Sequence, residues 1–209
     1  ALMERTNIRV GNNTYERLYG SYGLTTLKDK HIDIKGTTIR FAFKGKKGIY
    51  RDVSLRNRKL ARIVQQCKEI PGKELFQYYD EEGTRHSIDS GMVNDYIQSI
   101  TNEEFSAKDF RTWAGTVNAF IILQEMMKSD NDTNKKIINI DLDRVAASLG
   151  NTRAVCKKYY VHPLILEMHE LGKLNEYYQH LDAIEEDENK YALSREERVI
   201  LKLLEDNQH

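Results

Sequence analysis

The chain has 209 residues, 40% of them apolar and 31% charged, which suits a soluble globular protein of one generous domain or two small ones. No segment approaches the roughly 18 consecutive apolar residues of a membrane span, and ALMERTNIRVG lacks the apolar core of a secretory signal. Two cysteines, Cys67 and Cys156, are too few for a disulfide framework or a zinc cluster, so a reducing, intracellular setting is expected. The net charge of zero conceals an uneven distribution. Residues 181–209 hold nine acids and four bases, a net of −5, leaving +5 on the rest. A mildly basic body with an acidic tail fits a surface that binds a phosphate backbone better than the total suggests.

In chain order, residues 24–54 read as strands. HIDIKGTTIRFAFKGKKGIYRDVSL alternates at Ile32 and Ile34 and at Ile39, Phe41 and Phe43, with breaks at Gly36 and Gly45–Gly48. Three short antiparallel strands are predicted, with KGKKG as the second turn. From residue 55 the pattern turns helical. LRNRKLARIVQQC puts Leu55, Leu60, Ile63 and Val64 on one face and stops at Pro71–Gly72. Asp89–Ile100 is a second helix. A third and longest one opens on a Ser106/Asp109 capping box and carries a stripe of Phe110, Ala114, Val117, Phe120 and Ile121. Asp141–Leu149 is a helix ended by Gly150, and another from about Thr152 carries two tyrosines shortly before Pro163. DAIEEDENK (182–190) reads as a solvated linker, and Ser194–Glu205 as a last helix docking through Val199, Ile200, Leu203 and Leu204. The fold class is α+β, mainly α: a small three-stranded antiparallel sheet with a helical body.

Four features carry chemistry. AKDFRTW sets Arg111 beside Lys108 at a capped helix start, where backbone N–H groups and a guanidinium together favour a phosphate; alone, it also reads as a surface arginine. KGKKG projects Lys44, Lys46 and Lys47 from a tight turn, a pattern shared with solubilising loops. NIRVGN places Arg9 just before a turn. LGNTRAVCKKYYVHP combines a helix-ending glycine, the Asn151–Thr152 pair and adjacent Tyr159 and Tyr160, which also read as one core and one surface residue.

Their order is more specific than any one of them. IRVG, GLTTLKDKHI, FKGK, AKDFRTWAGT and LGNTRAVCKKYYVHP, over about residues 1–175, resemble the successive motifs of type IB DNA topoisomerases of the bacterial and poxvirus kind. The resemblance implies a fold related to the tyrosine recombinase catalytic domain. It also implies an enzyme that cuts and rejoins one DNA strand through a 3′-phosphotyrosine without ATP or metal. By motif, the catalytic set is Arg9, Lys46, Arg111, Asn151 and Tyr160, with Tyr15, Lys108, Lys44 and Lys157 against the DNA backbone. Double-stranded DNA is the partner; no cofactor, no metal and no membrane are implied, and the protein is expected to be a monomer in a bacterial cytoplasm, associated with the nucleoid.

Two positions depart from the family pattern. Asn151 stands where histidine is more common, and its amide N–H can still donate to a phosphate oxygen without proton transfer. Arg153 stands where proline is frequent, with no mechanistic effect expected. Residues 1–180 are read as the catalytic domain (β-hairpin subregion about 24–54, helical body about 55–180) and 181–209 as an acidic linker and closing helix. The family's β-rich N-terminal clamp domain is read as absent from this chain, which implies weak, non-processive DNA binding. The alternatives are a tyrosine recombinase catalytic domain, which would normally show an arginine followed two residues later by His or Tyr, and a non-catalytic DNA-binding fragment.

Overall fold

A computed structural model describes residues 1–128, 135–181, 183–185 and 192–207, of 135–141 the backbone alone. These fall into two compact units, Ala1–Arg111 and Thr112–His209.

The first unit opens with α1 (Leu2–Thr6) and α2 (Asn13–Tyr19), the latter capped by the Asn12 side chain accepting from the Thr14 and Tyr15 N–H groups. Two 3₁₀ turns at Leu24–Thr26 and Asp29–His31 occupy the start of the region expected to be strand. The three strands follow as predicted: β1 (Ile32–Lys35), β2 (Thr38–Lys44) and β3 (Tyr50–Arg56), antiparallel in that order, with Ile32 opposite Phe41 and Phe41 opposite Val53. Alternation along β2 sends Ile39, Phe41 and Phe43 inward, all buried. They pack with Ile8, Leu27, Val64 and Leu75, and each fully buried side chain of this size contributes about 1.5–3 kcal/mol.

Helix α3 (Arg58–Glu69) buries Ala61 and Val64 rather than the expected Ile63, which is exposed. Its buried face is set by packing on the sheet, which the sequence period locates only to within one residue. A two-stranded ribbon, β4 (Gln77–Tyr79) and β5 (Arg85–Ser87), was not expected. Its turn is built by Asp80, whose Oδ1 accepts from the Glu82 and Thr84 N–H groups at 3.0 and 2.7 Å. Helix α4 (Ser90–Thr101) agrees with the predicted second helix and is capped by Asp89.

Helix α5 (Ala107–Met127) starts in the first unit and supplies the core of the second. Its start follows the expected box: Asp109 Oδ2 accepts from the Ser106 N–H at 2.9 Å, and Ser106 Oγ accepts from the Lys108 N–H at 3.3 Å. The expected stripe holds at Phe120, which is buried, and at Ala114 and Val117, which pack against the core, but Phe110 is exposed and Ala119 and Leu123 are buried in addition. In the second unit, α6 (Lys135–Leu149), α7 (Arg153–Tyr159), α8 (Pro163–Glu170), α9 (Leu174–Leu181) and α10 (Arg195–Asp206) share a core of Phe120, Leu149, Cys156, Ile165, Leu174, Ile200 and Leu203. The C-terminal helix α10 closes this core through Val199, Ile200 and Leu203, and Trp113 Nε1 donates to Glu197 at 2.6 Å. Most of the expected linker, residue 182 and residues 186–190, lies outside the described residues. The protein is thus mainly helical with one small three-stranded sheet, and no described helix is long and apolar enough to cross a membrane.

One buried titratable group makes the first unit sensitive to acid. His31 Nδ1 accepts from the Lys28 N–H at 3.0 Å, and its ring lies 4.3 Å from that of Tyr22. Burial, reinforced by the charges of Lys30 and Lys28 and opposed by Glu16, holds its pKa below the ordinary 6.5. The unfolded chain therefore binds the proton more readily, and His31's stabilising contribution, present above pH about 6.5, is lost as pH falls through the folded value. Thermal melts should show a decline below pH about 6.5 that is smaller in His31→Asn, whose amide oxygen keeps an acceptor near Nδ1; equal slopes in the two proteins would reject the assignment.

Candidate active site and nucleic-acid interface

Of the nine predicted site residues, Arg9, Tyr15, Lys44, Lys46, Lys108 and Arg111 lie in the first unit and Asn151, Lys157 and Tyr160 in the second.

Arg9 follows directly on a segment that two other arginines hold. The C-cap of α1, Asn7, has a left-handed backbone (φ 54°) and offers its carbonyl to Arg111 Nη1. The preceding carbonyl, of Thr6, accepts from Arg51 Nη2 at 3.3 Å. Arg111 is 4% and Arg51 9% exposed. Guanidiniums suit this place because carbonyls left over at a helix end carry partial negative charge and Arg presents several donors at once. Burial, and then the charge of Arg9, push the Arg51 pKa down from its ordinary value. Arg51 is not among the residues predicted from the sequence. Its signal was parity: in YRDVSLR it occupies an inward position of β3, where a strand of this kind normally carries an apolar residue.

The turn after Arg9 is clamped from the other side by the GLTT segment. Leu24 N–H donates to the Arg9 carbonyl and Thr25 N–H to that of Val10, both at 2.7 Å, and Thr25 Oγ1 adds a bond to Val10 O at 2.9 Å. Gly23 lets the two stretches meet: a β-carbon there would stand 2.5 Å from Gly11 Cα and 2.7 Å from the Arg9 carbonyl oxygen.

Lys46 sits on the exposed tip between β2 and β3, where Gly45 N–H donates to the Ile49 carbonyl at 2.8 Å and Lys47 adopts φ 60°. Its ammonium lies 5.7 Å from the centre of the Tyr15 ring, a cation–π distance, so the sequence-predicted lysine and a sequence-predicted DNA contact are neighbours. Lys44 Nζ reaches the Tyr19 carbonyl at 3.4 Å, at the far end of the helix that carries Tyr15. That helix is moored by Lys28, whose ammonium pairs with Glu16 at 2.7 Å and Glu74 at 3.1 Å. Burial works against the Lys28 cation, but the two hydrogen bonds outweigh it and raise its pKa above 10.5. Lys108 is exposed on the first turn of α5.

In the second unit, Asn151 follows Gly150 at the end of α6, half-buried, its N–H donating to the Ala146 carbonyl at 2.8 Å. Lys157 is exposed on α7. The two tyrosines are placed differently. Tyr159 is 53% exposed with Lys158 Nζ 5.2 Å from its ring centre. Tyr160 is the C-cap of α7, half-buried and packed against the core of this unit. Its backbone is held closely by α5. A β-carbon at Gly115 would meet the Tyr160 carbonyl oxygen at 2.4 Å, and Thr116 Oγ1 accepts from the His162 N–H at 3.1 Å. Gly115 and Thr116 were quoted in the AKDFRTWAGT motif without a role. The signal was a glycine inside a long helix, where it costs roughly 0.5–1 kcal/mol relative to Ala and so usually marks a close approach.

Among the described residues no group of three or more His, Cys, Asp or Glu side chains is arranged to hold a metal ion. At the Arg9 turn the atoms a β-carbon would displace are backbone, so Gly23→Ala should lower stability by about 1–3 kcal/mol in chemical denaturation. An unchanged midpoint would mean the Arg9 turn tolerates displacement.

A family model described as the catalytic core of eukaryotic DNA topoisomerase I matches residues 1–188. A DNA topoisomerase 1B of Acanthamoeba polyphaga mimivirus is 32% identical over 172 residues, covering 78% of this chain and 51% of that protein. The DNA topoisomerase 1B of Vaccinia virus (strain Western Reserve) is 24% identical over 164 residues, covering 77% and 49%. The chain thus spans about half the length of these curated relatives. In fold it is similar to the XerH site-specific recombinase in a post-cleavage complex with its palindromic difH substrate, with a TM-score of 0.50 at 16% identity over 84% of this chain and 44% of that one. That likeness agrees with the expected relation to the recombinase catalytic fold. The match over residues 1–188 settles the family: this chain belongs to that of the DNA topoisomerase I catalytic core.

Proposed function

We propose that residues 1–180 form the catalytic region of a type IB DNA topoisomerase, with 181–209 as an acidic linker and closing helix. The observation that carries this reading is the family match over residues 1–188; within that span the motifs quoted above assign the catalytic set to Arg9, Lys46, Arg111, Asn151 and Tyr160. The partner is double-stranded DNA, the working form is a monomer, and the setting is the cytoplasm.

The Tyr160 phenol attacks a DNA phosphorus. A bond forms between the tyrosine oxygen and the 3′-phosphate, the bond to the 5′-oxygen breaks, and the phenol gives up its proton to solvent water. The phosphotyrosine conserves the energy of the broken diester, so resealing needs no ATP. Negative charge grows on the equatorial oxygens, where Arg9 and Arg111 present forked donors and Asn151 adds an amide N–H. Lys46 protonates the departing 5′-oxygen; an ammonium on an exposed hairpin tip can both reach and release a proton, which a guanidinium does poorly. Tyr15, Lys44, Lys108 and Lys157 meet the flanking backbone, giving salt-sensitive, largely sequence-independent binding. While one strand is held on Tyr160, the free 5′ end swivels about the intact strand until torsional strain is relieved.

Support for Tyr160 over its neighbour comes from order: its backbone is fixed against α5, whereas Tyr159 is exposed to solvent. Support for Lys46 as the acid comes from its exposed position beside Tyr15.

Supercoiled plasmid should relax in EDTA without ATP. A denaturation-resistant protein–DNA adduct should form, vanish in Tyr160→Phe and survive in Tyr159→Phe. Loss of one arginine should slow cleavage by on the order of 10²–10³-fold. An adduct lost in Tyr159→Phe instead would move the nucleophile by one residue. Cutting confined to one specific sequence would favour a recombinase, and DNA binding with no adduct at all a non-catalytic fragment.

A further inference from the structure

The segment that carries Tyr160 is held more completely than a loop needs to be. Three consecutive N–H groups are engaged: those of Tyr160 and Val161 both donate to the Cys156 carbonyl, at 2.9 and 3.1 Å, and that of His162 donates to Thr116 Oγ1 at 3.1 Å. Cys156, one turn before Tyr160, and Val161, directly after it, are buried, at 0% and 4% exposure, so the segment is anchored in the core on both sides of the exposed Tyr159 and the half-buried Tyr160. On the opposite side the Tyr160 carbonyl lies where a side chain on Gly115 would be. A β-carbon there would be 2.4 Å from its oxygen, 3.0 Å from its carbon and 3.1 Å from the Tyr160 Cβ. Thr116 itself is 2% exposed, and its hydroxyl reaches the Thr112 carbonyl at 3.0 Å while accepting from His162.

We propose that Gly115 and Thr116 of α5 are positioning residues for the Tyr160 nucleophile: together they fix its backbone, so that the phenol reaches the phosphorus by side-chain rotation alone, without refolding of the segment. The inference rests on Tyr160 being the nucleophile. Neither residue touches DNA in this mechanism. Gly115 sets how near α5 can come, and Thr116 sets the register by accepting one particular N–H. Small errors in the placement of a nucleophile are costly: a displacement of about 1 Å can reduce a rate about 100-fold. Threonine is specific here because valine has the same shape but no acceptor, which leaves the His162 N–H without a partner in a partly buried place.

The test is single-turnover cleavage of a short duplex from which the cut strand dissociates, measured alongside DNA binding. Thr116→Val should cleave about 10- to 100-fold more slowly with its DNA dissociation constant within about twofold of the parent, and Thr116→Ser should recover most of the rate. Gly115→Ala should show the same pattern. A second substrate, with sulfur replacing the bridging 5′-oxygen, needs no proton on the leaving group: it should rescue Lys46→Ala and leave Thr116→Val slow, because a misplaced nucleophile is not repaired by a better leaving group. Cleavage by Thr116→Val at the parental rate, a serine variant as slow as the valine, or rescue of Thr116→Val by the sulfur substrate would each overturn the proposal. Should Gly115→Ala fail to fold, the valine and serine pair decides alone. Failure of the underlying reading appears elsewhere, as an adduct that persists in Tyr160→Phe.

Discussion

Where most long helices carry a side chain at every turn, α5 has at Gly115 a place that only a hydrogen fills, and the Tyr160 carbonyl occupies the space. That contact is short because backbone meets backbone, and nothing in it can rotate away. A side-chain contact would leave several rotamers open; a carbonyl seated on a helix does not. The N–H groups of Tyr160 and Val161 are then directed to the Cys156 carbonyl, and the fully buried Cys156 joins α7 to the core of the second unit. The order of this segment is thus a property of core packing rather than of the tyrosine itself.

The first unit solves a comparable problem with charge. The turn that carries Arg9 is held by two buried guanidiniums, while Arg9 itself stays half-buried. Arg51 and Arg111 each give donors to a peptide carbonyl at the end of α1, and GLTT closes the other side with three hydrogen bonds. Taking a guanidinium out of water is expensive unless its donors are met and anions lie near, and proximity to Arg9 adds repulsion at Arg51. A phosphate is the counter-charge that such a cluster accommodates best. In the proposed function the substrate supplies it.

The lysines are distributed on another principle. Lys44, Lys46, Lys108 and Lys157 are all exposed. Exposed ammoniums keep their hydration and their mobility, which suits the roles given to them in the proposed function, sequence-independent backbone contacts and a mobile proton donor. Lys28 is the exception, half-buried between Glu16 and Glu74, and its work is structural: it fixes the helix from which Tyr15 projects.

The sequence alone determined the three strands, because Ile39, Phe41 and Phe43 alternate without interruption and glycines punctuate both turns. It likewise determined the helix starts at Asp89, Ser106 and Ser194, where a polar cap precedes an amphipathic run, whereas the first helix, expected from residue 55, starts only after Asn57 because β3 carries Leu55 and runs to Arg56. The ordered motifs gave the family, since each is local and short enough to be recognised without the fold. Which face of α3 and α5 is buried was decided by tertiary packing: Ile63 and Phe110 fit the helical period and are exposed, since a period fixes spacing and not phase. The ribbon at Gln77–Ser87 escaped because strands of three residues are too short to alternate. The parts played by Arg51, Gly115 and Thr116 needed the structure for the same reason. An inward arginine or a helical glycine acquires meaning only from the atoms across from it, and those atoms are contributed by residues some 45 positions away along the chain.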